Sequence, residues 1–136
     1  MNLASIRIIT TEVRPLVEFY EAVTGGQFTF YTEDFAELST ASGTLAIGST
    51  RTLELFGGQA VAAAASNQSV IIEFYVDDVD ERYQLLSDRS YSGIVQAPTT
   101  MPWGNRSLLF RDPDGNLVNF FTPVSDAARK RFGKEV

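Results

Sequence analysis

One order of elements occurs twice in this chain, and that repetition limits the fold more than any other feature. Ser5 to Thr10 is rich in β-branched residues, with Ile6 and Ile8 alternating against Ser5, Arg7 and Ile9, the period of a strand with two unlike faces. Pro15 opens a helical stretch in which Leu16, Val17, Tyr20 and Val23 recur at helical spacing, and Gly25-Gly26 stops it. Three strands are predicted next, over Gln27 to Thr32, Phe35 to Ser39 and Leu45 to Phe56, the last with a turn near Ser49 to Arg51. After the small-residue linker Gly57 to Ser69 the order begins again. Val70 to Val76 reads as a strand and Val79 to Arg89 as a helix ended by Ser92-Gly93. Strands follow over Ile94 to Ala97, Ser107 to Arg111 and Leu117 to Thr122, joined by a Pro98 to Gly104 loop and an Asp112-Pro113-Asp114-Gly115 turn. Ile6 and Ile8 match Ile72 and Phe74, and Leu53 to Phe56 matches Val118 to Phe121. The expectation is one β-α-β-β-β unit used twice, in a single α+β domain with modules over residues 1–60 and 69–123 and a helical tail over 124–136.

Composition removes much chemistry. The chain of 136 residues has no cysteine, so disulfides, thiolate nucleophiles and zinc-thiolate sites are excluded. It has no histidine either, which removes the commonest transition-metal ligand and the usual base of a serine hydrolase. A net charge of −6 argues against nucleic acid, whose phosphates demand a basic surface. The one basic cluster, Arg129, Lys130, Arg131 and Lys134, reads as positive charge near the end of a short exposed helix. Asp77, Asp78, Asp80 and Glu81 read as helix capping rather than a metal cluster, and Asp112 with Asp114 as a tight turn rather than a calcium loop. No apolar run reaches the length of a bilayer span and no secretion signal is evident, so the expectation is a cytoplasmic protein without membrane contact.

Phe19-Tyr20, Phe74 to Val79, Pro102-Trp103-Gly104 and Phe110 to Asn116, in this order and spacing, span nearly the whole chain. With them the chain resembles the vicinal oxygen chelate superfamily: glyoxalase I, extradiol dioxygenases, fosfomycin-resistance enzymes and bleomycin-binding resistance proteins. The resemblance implies a glyoxalase-like domain with a cleft between curved mixed sheets. It also implies four ligand positions in metal-dependent members, one on the opening and one on the closing strand of each module. These fall on Ser5, Glu54, Ile71 and Asn119. One carboxylate with a serine, an amide and an isoleucine is a poor donor set, so no metal and no other cofactor is expected.

Residues two apart on a strand share a face. Ser5 therefore brings Arg7 and Ile9, Ile71 brings Glu73 and Tyr75, Glu54 brings Thr52 and Phe56, and Asn119 brings Leu117 and Phe121. The ligand-binding candidates are Ser5, Arg7, Glu54, Phe56, Ile71, Glu73, Tyr75, Trp103, Asn119 and Phe121. Two structural alternatives stand beside this: Arg7 pairs with Glu73 or Glu54 as a satisfied ion pair, and the apolar members fill core. The leading functional expectation, drawn from the resemblance, is a metal-free protein of the bleomycin-resistance type that binds an aromatic or cationic small molecule as a homodimer. The alternatives are a metal-independent lyase or isomerase using Glu54 or Glu73 as general base with Arg7 beside an oxyanion, an atypical oxygen-ligand metalloenzyme, and a silent interaction module.

Overall fold

The computed structural model describes residues 1–58, 60–89 and 91–133, so Lys134 of the basic cluster lies outside the described residues. The chain divides into two compact units, Met1–Asn67 with Pro113–Gly115 and Gln68–Asp112 with Asn116–Val136. Each contains one four-stranded mixed sheet and the β-α-β-β-β order that the repetition implies.

The first unit runs β1 (Ser5–Thr10), α1 (Val13–Thr24), β2 (Thr29–Thr32), β3 (Phe35–Ser39) and β4 (Thr44–Ser49), with sheet order β1-β4-β3-β2. β1 lies parallel to β4 and the remaining pairs are antiparallel. A parallel pair needs a long crossover, which α1 and the β2–β3 hairpin supply. α1 buries Val13, Leu16, Val17, Tyr20 and Val23, one stripe at helical spacing. The sheet contributes Ile8, Ala36, Leu38, Leu45 and Ile47 to the buried set. β4 is central, and every residue from Leu45 to Ser49 is buried.

The second unit runs β5 (Ile71–Tyr75), α2 (Val79–Asp88), β6 (Ile94–Thr100), β7 (Asn105–Arg111), β8 (Leu117–Pro123) and α3 (Asp126–Arg131), with sheet order β5-β8-β7-β6. Here β5 is parallel to β8, as β1 is to β4. The core stacks aromatic rings edge to face: Phe110 and Phe120 have centroids 4.9 Å apart, and Phe74 packs on Phe120 at 5.5 Å. The Asp78 side chain caps α2 by accepting from the Asp80 and Glu81 N–H groups, each at 3.1 Å. Asp80 receives the Arg106 guanidinium at 3.0 Å through both of its oxygens. That hydrogen bonding holds its carboxyl below the ordinary aspartate range. These acids are thus occupied in starting a helix and tying it to β7. In the β7–β8 turn, Asp112 accepts from the backbone and side-chain nitrogens of Asn116 at 2.9 and 2.8 Å. Arg129, Lys130 and Arg131 occupy the last turn of α3, where the helix dipole favours cations. Among the described residues no helix is long and apolar enough to cross a membrane.

Two boundaries differ from the sequence reading. Leu53 to Phe56 is not a strand: β4 ends at Ser49, and Thr50–Phe56 forms a 3-10 helix. The Ser49 hydroxyl accepts from Arg51 N–H at 3.1 Å and the Thr52 hydroxyl donates to the Ser49 carbonyl at 2.7 Å, so local hydrogen bonds turn the chain out of the sheet. The counterpart of Val118 to Phe121 is therefore β4, with Ala46 opposite Arg7 as Asn119 is opposite Glu73. Pro98 to Thr100 belong to β6 and not to a loop. β6 is an edge strand whose register shifts between Gln96 and Thr99, the kind of position where a strand tolerates proline.

Candidate functional site

On the first sheet, pairing sets Arg7 opposite Ala46 and Ile9 opposite Gly48, which is itself opposite Phe35. The Arg7 guanidinium carbon lies 4.8 Å from the Phe35 ring centroid and 5.7 Å from that of Phe56. Gly48 lies close by: a Cβ there would meet the Thr52 Oγ1 at 3.1 Å and the Arg7 Cδ at 3.4 Å. Phe56 thus reaches Arg7 from the 3-10 helix and not from a closing strand. Ser5 is exposed on the same face of β1. Glu54 is exposed on the 3-10 helix, so its assignment to a closing-strand ligand position is corrected: that position is Ala46. Within this unit no carboxylate pairs with Arg7 among the described residues, Glu54 included. Asp34 is taken by Arg51 at 2.6 Å and by the Ser49 hydroxyl at 2.9 Å. The Arg51 hydrogen bond, followed by that of Ser49, keeps its carboxyl below the usual range.

On the second sheet, Glu73 and Asn119 are direct neighbours across β5 and β8. Asn119 Nδ2 donates to Glu73 Oε2 at 2.8 Å. Because only the amide nitrogen can donate to a carboxylate, this contact fixes the amide and turns Oδ1 the other way. Oδ1 is buried and has no partner among the described residues, in a side chain whose residue is 9% exposed. A buried acceptor left unmade costs about 1 to 3 kcal/mol. Tyr75 and Phe121 share this face, with ring centroids 5.8 Å apart. Phe132, just beyond α3, packs on Phe121 at 4.9 Å and on Tyr75 at 6.1 Å. Ile71 opens the same face, 48% exposed. The result is a pair of acceptor oxygens beside a wall of three aromatic rings.

Trp103 stands between β6 and β7, 63% exposed. The following Gly104 carbonyl accepts from Val124 N–H at 2.8 Å and Ser125 N–H at 3.2 Å, which ties the loop to the start of α3. Trp103→Ala is therefore expected to cost about 0.5 kcal/mol of stability or less, against the roughly 3 to 5 kcal/mol of a buried tryptophan. Urea denaturation of the variant measures the difference.

The four positions that resemble metal ligands carry Ser5, Ala46, Ile71 and Asn119, a set with no carboxylate, imidazole or thiolate. Among the described residues no three carboxylates lie together as a metal would require. These residues do not fit a resident transition metal. Of the residues singled out from sequence, the structure brings Arg7 together with Phe56, and Glu73 with Asn119, Tyr75 and Phe121. Phe35, Gly48 and Phe132 were missed. The alternation Phe35, Glu37, Ser39 along β3 is a signal that could have found Phe35 once the register was known. Phe132 follows a six-residue helix with no such signal.

A family model described as the Glyoxalase/Bleomycin resistance protein/Dioxygenase superfamily matches residues 2–120. The uncharacterized protein YraH of Bacillus subtilis (strain 168) is 26% identical over 125 residues, covering 89% of this chain and 98% of the relative. A glyoxalase/bleomycin resistance protein/dioxygenase family enzyme from Burkholderia phytofirmans PsJN superposes with a TM-score of 0.77 at 19% identity, covering 91% of this chain and 100% of that one. A glyoxalase/bleomycin resistance protein/dioxygenase from Nocardioides gives 0.72 at 21% identity, covering 93% and 85%. At these identities the structures speak for the fold alone, and they match the two-module α+β arrangement. With nearly all of both repeats inside the matched region, this chain belongs to the Glyoxalase/Bleomycin resistance protein/Dioxygenase superfamily.

Proposed function

We propose that the chain is a metal-free small-molecule binding protein, taking an aromatic or cationic compound on the second sheet beside Glu73, Asn119, Tyr75 and Phe121. The observation that carries this reading is the Asn119 side chain, fixed by Glu73 with its oxygen buried and unpartnered. That oxygen and the Glu73 carboxylate are acceptors, so the ligand they favour brings N–H donors and positive charge, while the adjacent rings favour a flat or apolar body. Antibiotic binding of the bleomycin-resistance kind belongs to this class of ligand. Assembly as a homodimer is part of the proposal, and sedimentation velocity at two protein concentrations tests it.

The binding test is a thermal-shift screen of cationic aromatic antibiotics followed by calorimetry on any hit. Glu73→Gln is expected to weaken a cationic ligand about tenfold or more, because a hydrogen bond to a charged group contributes about 1.5 to 3 kcal/mol. Trp103 fluorescence should report the same titration. If no compound in the set raises the melting temperature, the reading fails. If a hit is instead converted, and Glu73→Gln abolishes turnover but not affinity, Glu73 is a general base and the lyase or isomerase alternative takes its place.

A further inference from the structure

We propose that Arg7, Phe35 and Phe56 form a carboxylate-binding subsite on the sheet of the first unit, suited to a small monoanion with a planar carboxylate. The proposal takes Arg7 as a ligand residue but does not rest on the reading of the Glu73 face. The chain carries 17 acidic residues against 11 basic ones, yet Arg7, like Arg14 over the Phe30 ring, has no acidic partner within its own unit among the described residues. Arg51, Arg106 and Arg129 each pair with an aspartate. Within its own unit Arg7 has aromatic rings where those have carboxylates.

Among the described residues no hydrogen bond or ion pair uses the Arg7 guanidinium, so its N–H groups, which point outward in its plane, are unspent. That edge is a fork matched to two coplanar oxygens. The Arg7 Cδ lies near Gly48, beside the Thr52 hydroxyl that donates to the Ser49 carbonyl. The net charge of −6 repels a dianion more than a monoanion, which favours a carboxylate over a phosphate dianion. Phe56, 60% exposed, offers its ring to the body of an aromatic acid.

The test uses the full chain, isotopically labelled, and follows the Arg7 Nε–Hε resonance during titration with sodium benzoate, benzamide and sodium phosphate. Benzoate should shift that resonance saturably. Benzamide, its neutral isostere, should bind at least about tenfold more weakly, and phosphate should do no better than benzamide. Arg7→Lys retains the charge but not the fork, and should weaken benzoate about tenfold, read from backbone resonances around Gly48. Phe56→Leu, at an exposed site, should weaken it about threefold, and its amide spectrum shows whether the fold is intact. Equal binding of benzoate and benzamide, tighter binding of phosphate, or full affinity in Arg7→Lys would each overturn the subsite. The benzoate titration is read at Arg7 and the cation-binding reading by the thermal-shift screen, so failure here and failure of that reading are separate results.

Discussion

Phe120→Ala should lower the stability of the protein by about 3 to 5 kcal/mol, the cost of emptying a buried phenylalanine site. Phe120 is fully buried on β8 and its ring touches Phe74 on β5 and Phe110 on β7, so one side chain joins three neighbouring strands. Removing it opens a cavity that two edge-on rings cannot close without leaving their rotamers. Domains of this size are stable by only about 5 to 15 kcal/mol, so the variant should unfold at much lower urea. Phe110→Ala removes the opposite ring, and a double-mutant cycle should show that the two losses do not add, with a coupling of about 0.5 to 1.5 kcal/mol. Urea titrations of the four proteins give the answer. A loss near 1 kcal/mol for Phe120→Ala would mean that this aromatic stack is not a main support of the three strands it joins.

The same residue shows how far the sequence could be read. Val118 and Phe120 point to one face of β8 and Asn119 and Phe121 to the other, as period-two alternation requires, and so the Glu73, Asn119, Tyr75 and Phe121 group was legible before any coordinates. The first module's closing strand was not. Leu53, Leu55 and Phe56 look like a strand by composition, but Ser49 and Thr52 supply side-chain hydrogen bonds to the local backbone, and a short apolar run cannot show which of these wins. That error displaced Glu54 onto a strand and hid Ala46, whose methyl group carries no chemical signal. Arg7 was identified as a site residue, but its partners were not. Phe35 reaches it through pairing across β4, and pairing register is a long-range property that propensity does not encode. The direction of the Asn119 amide was equally out of reach, since it follows from one hydrogen bond to Glu73.

Gly104→Ala should cost about 2 to 3 kcal/mol although it adds a single methyl group. Gly104 has φ +93°, in the region an L-residue enters at a cost of about 1 to 2 kcal/mol. The added Cβ would also stand 2.0 Å from the Ser125 Oγ and 2.8 Å from its Cβ, so the serine must move. Ser125 caps α3, its hydroxyl accepting from the Ala128 N–H at 3.1 Å, and a lost cap costs about 1 kcal/mol more. Displacing the start of α3 carries further than stability. Phe132 follows that helix and packs on Phe121 and Tyr75, so loosening α3 withdraws one ring from the aromatic wall beside Glu73. Gly43→Ala is the control: a Cβ there meets nothing within 4 Å, and the change should stay within about 0.5 kcal/mol of neutral. Urea denaturation measures both variants, and hydrogen exchange at Ala128 reports the cap directly. Faster exchange at Ala128 together with the expected loss would place the damage at the junction of the Trp103 loop and α3. A Gly104→Ala protein as stable as the Gly43→Ala control would show that the loop absorbs the methyl group and that α3 does not depend on it.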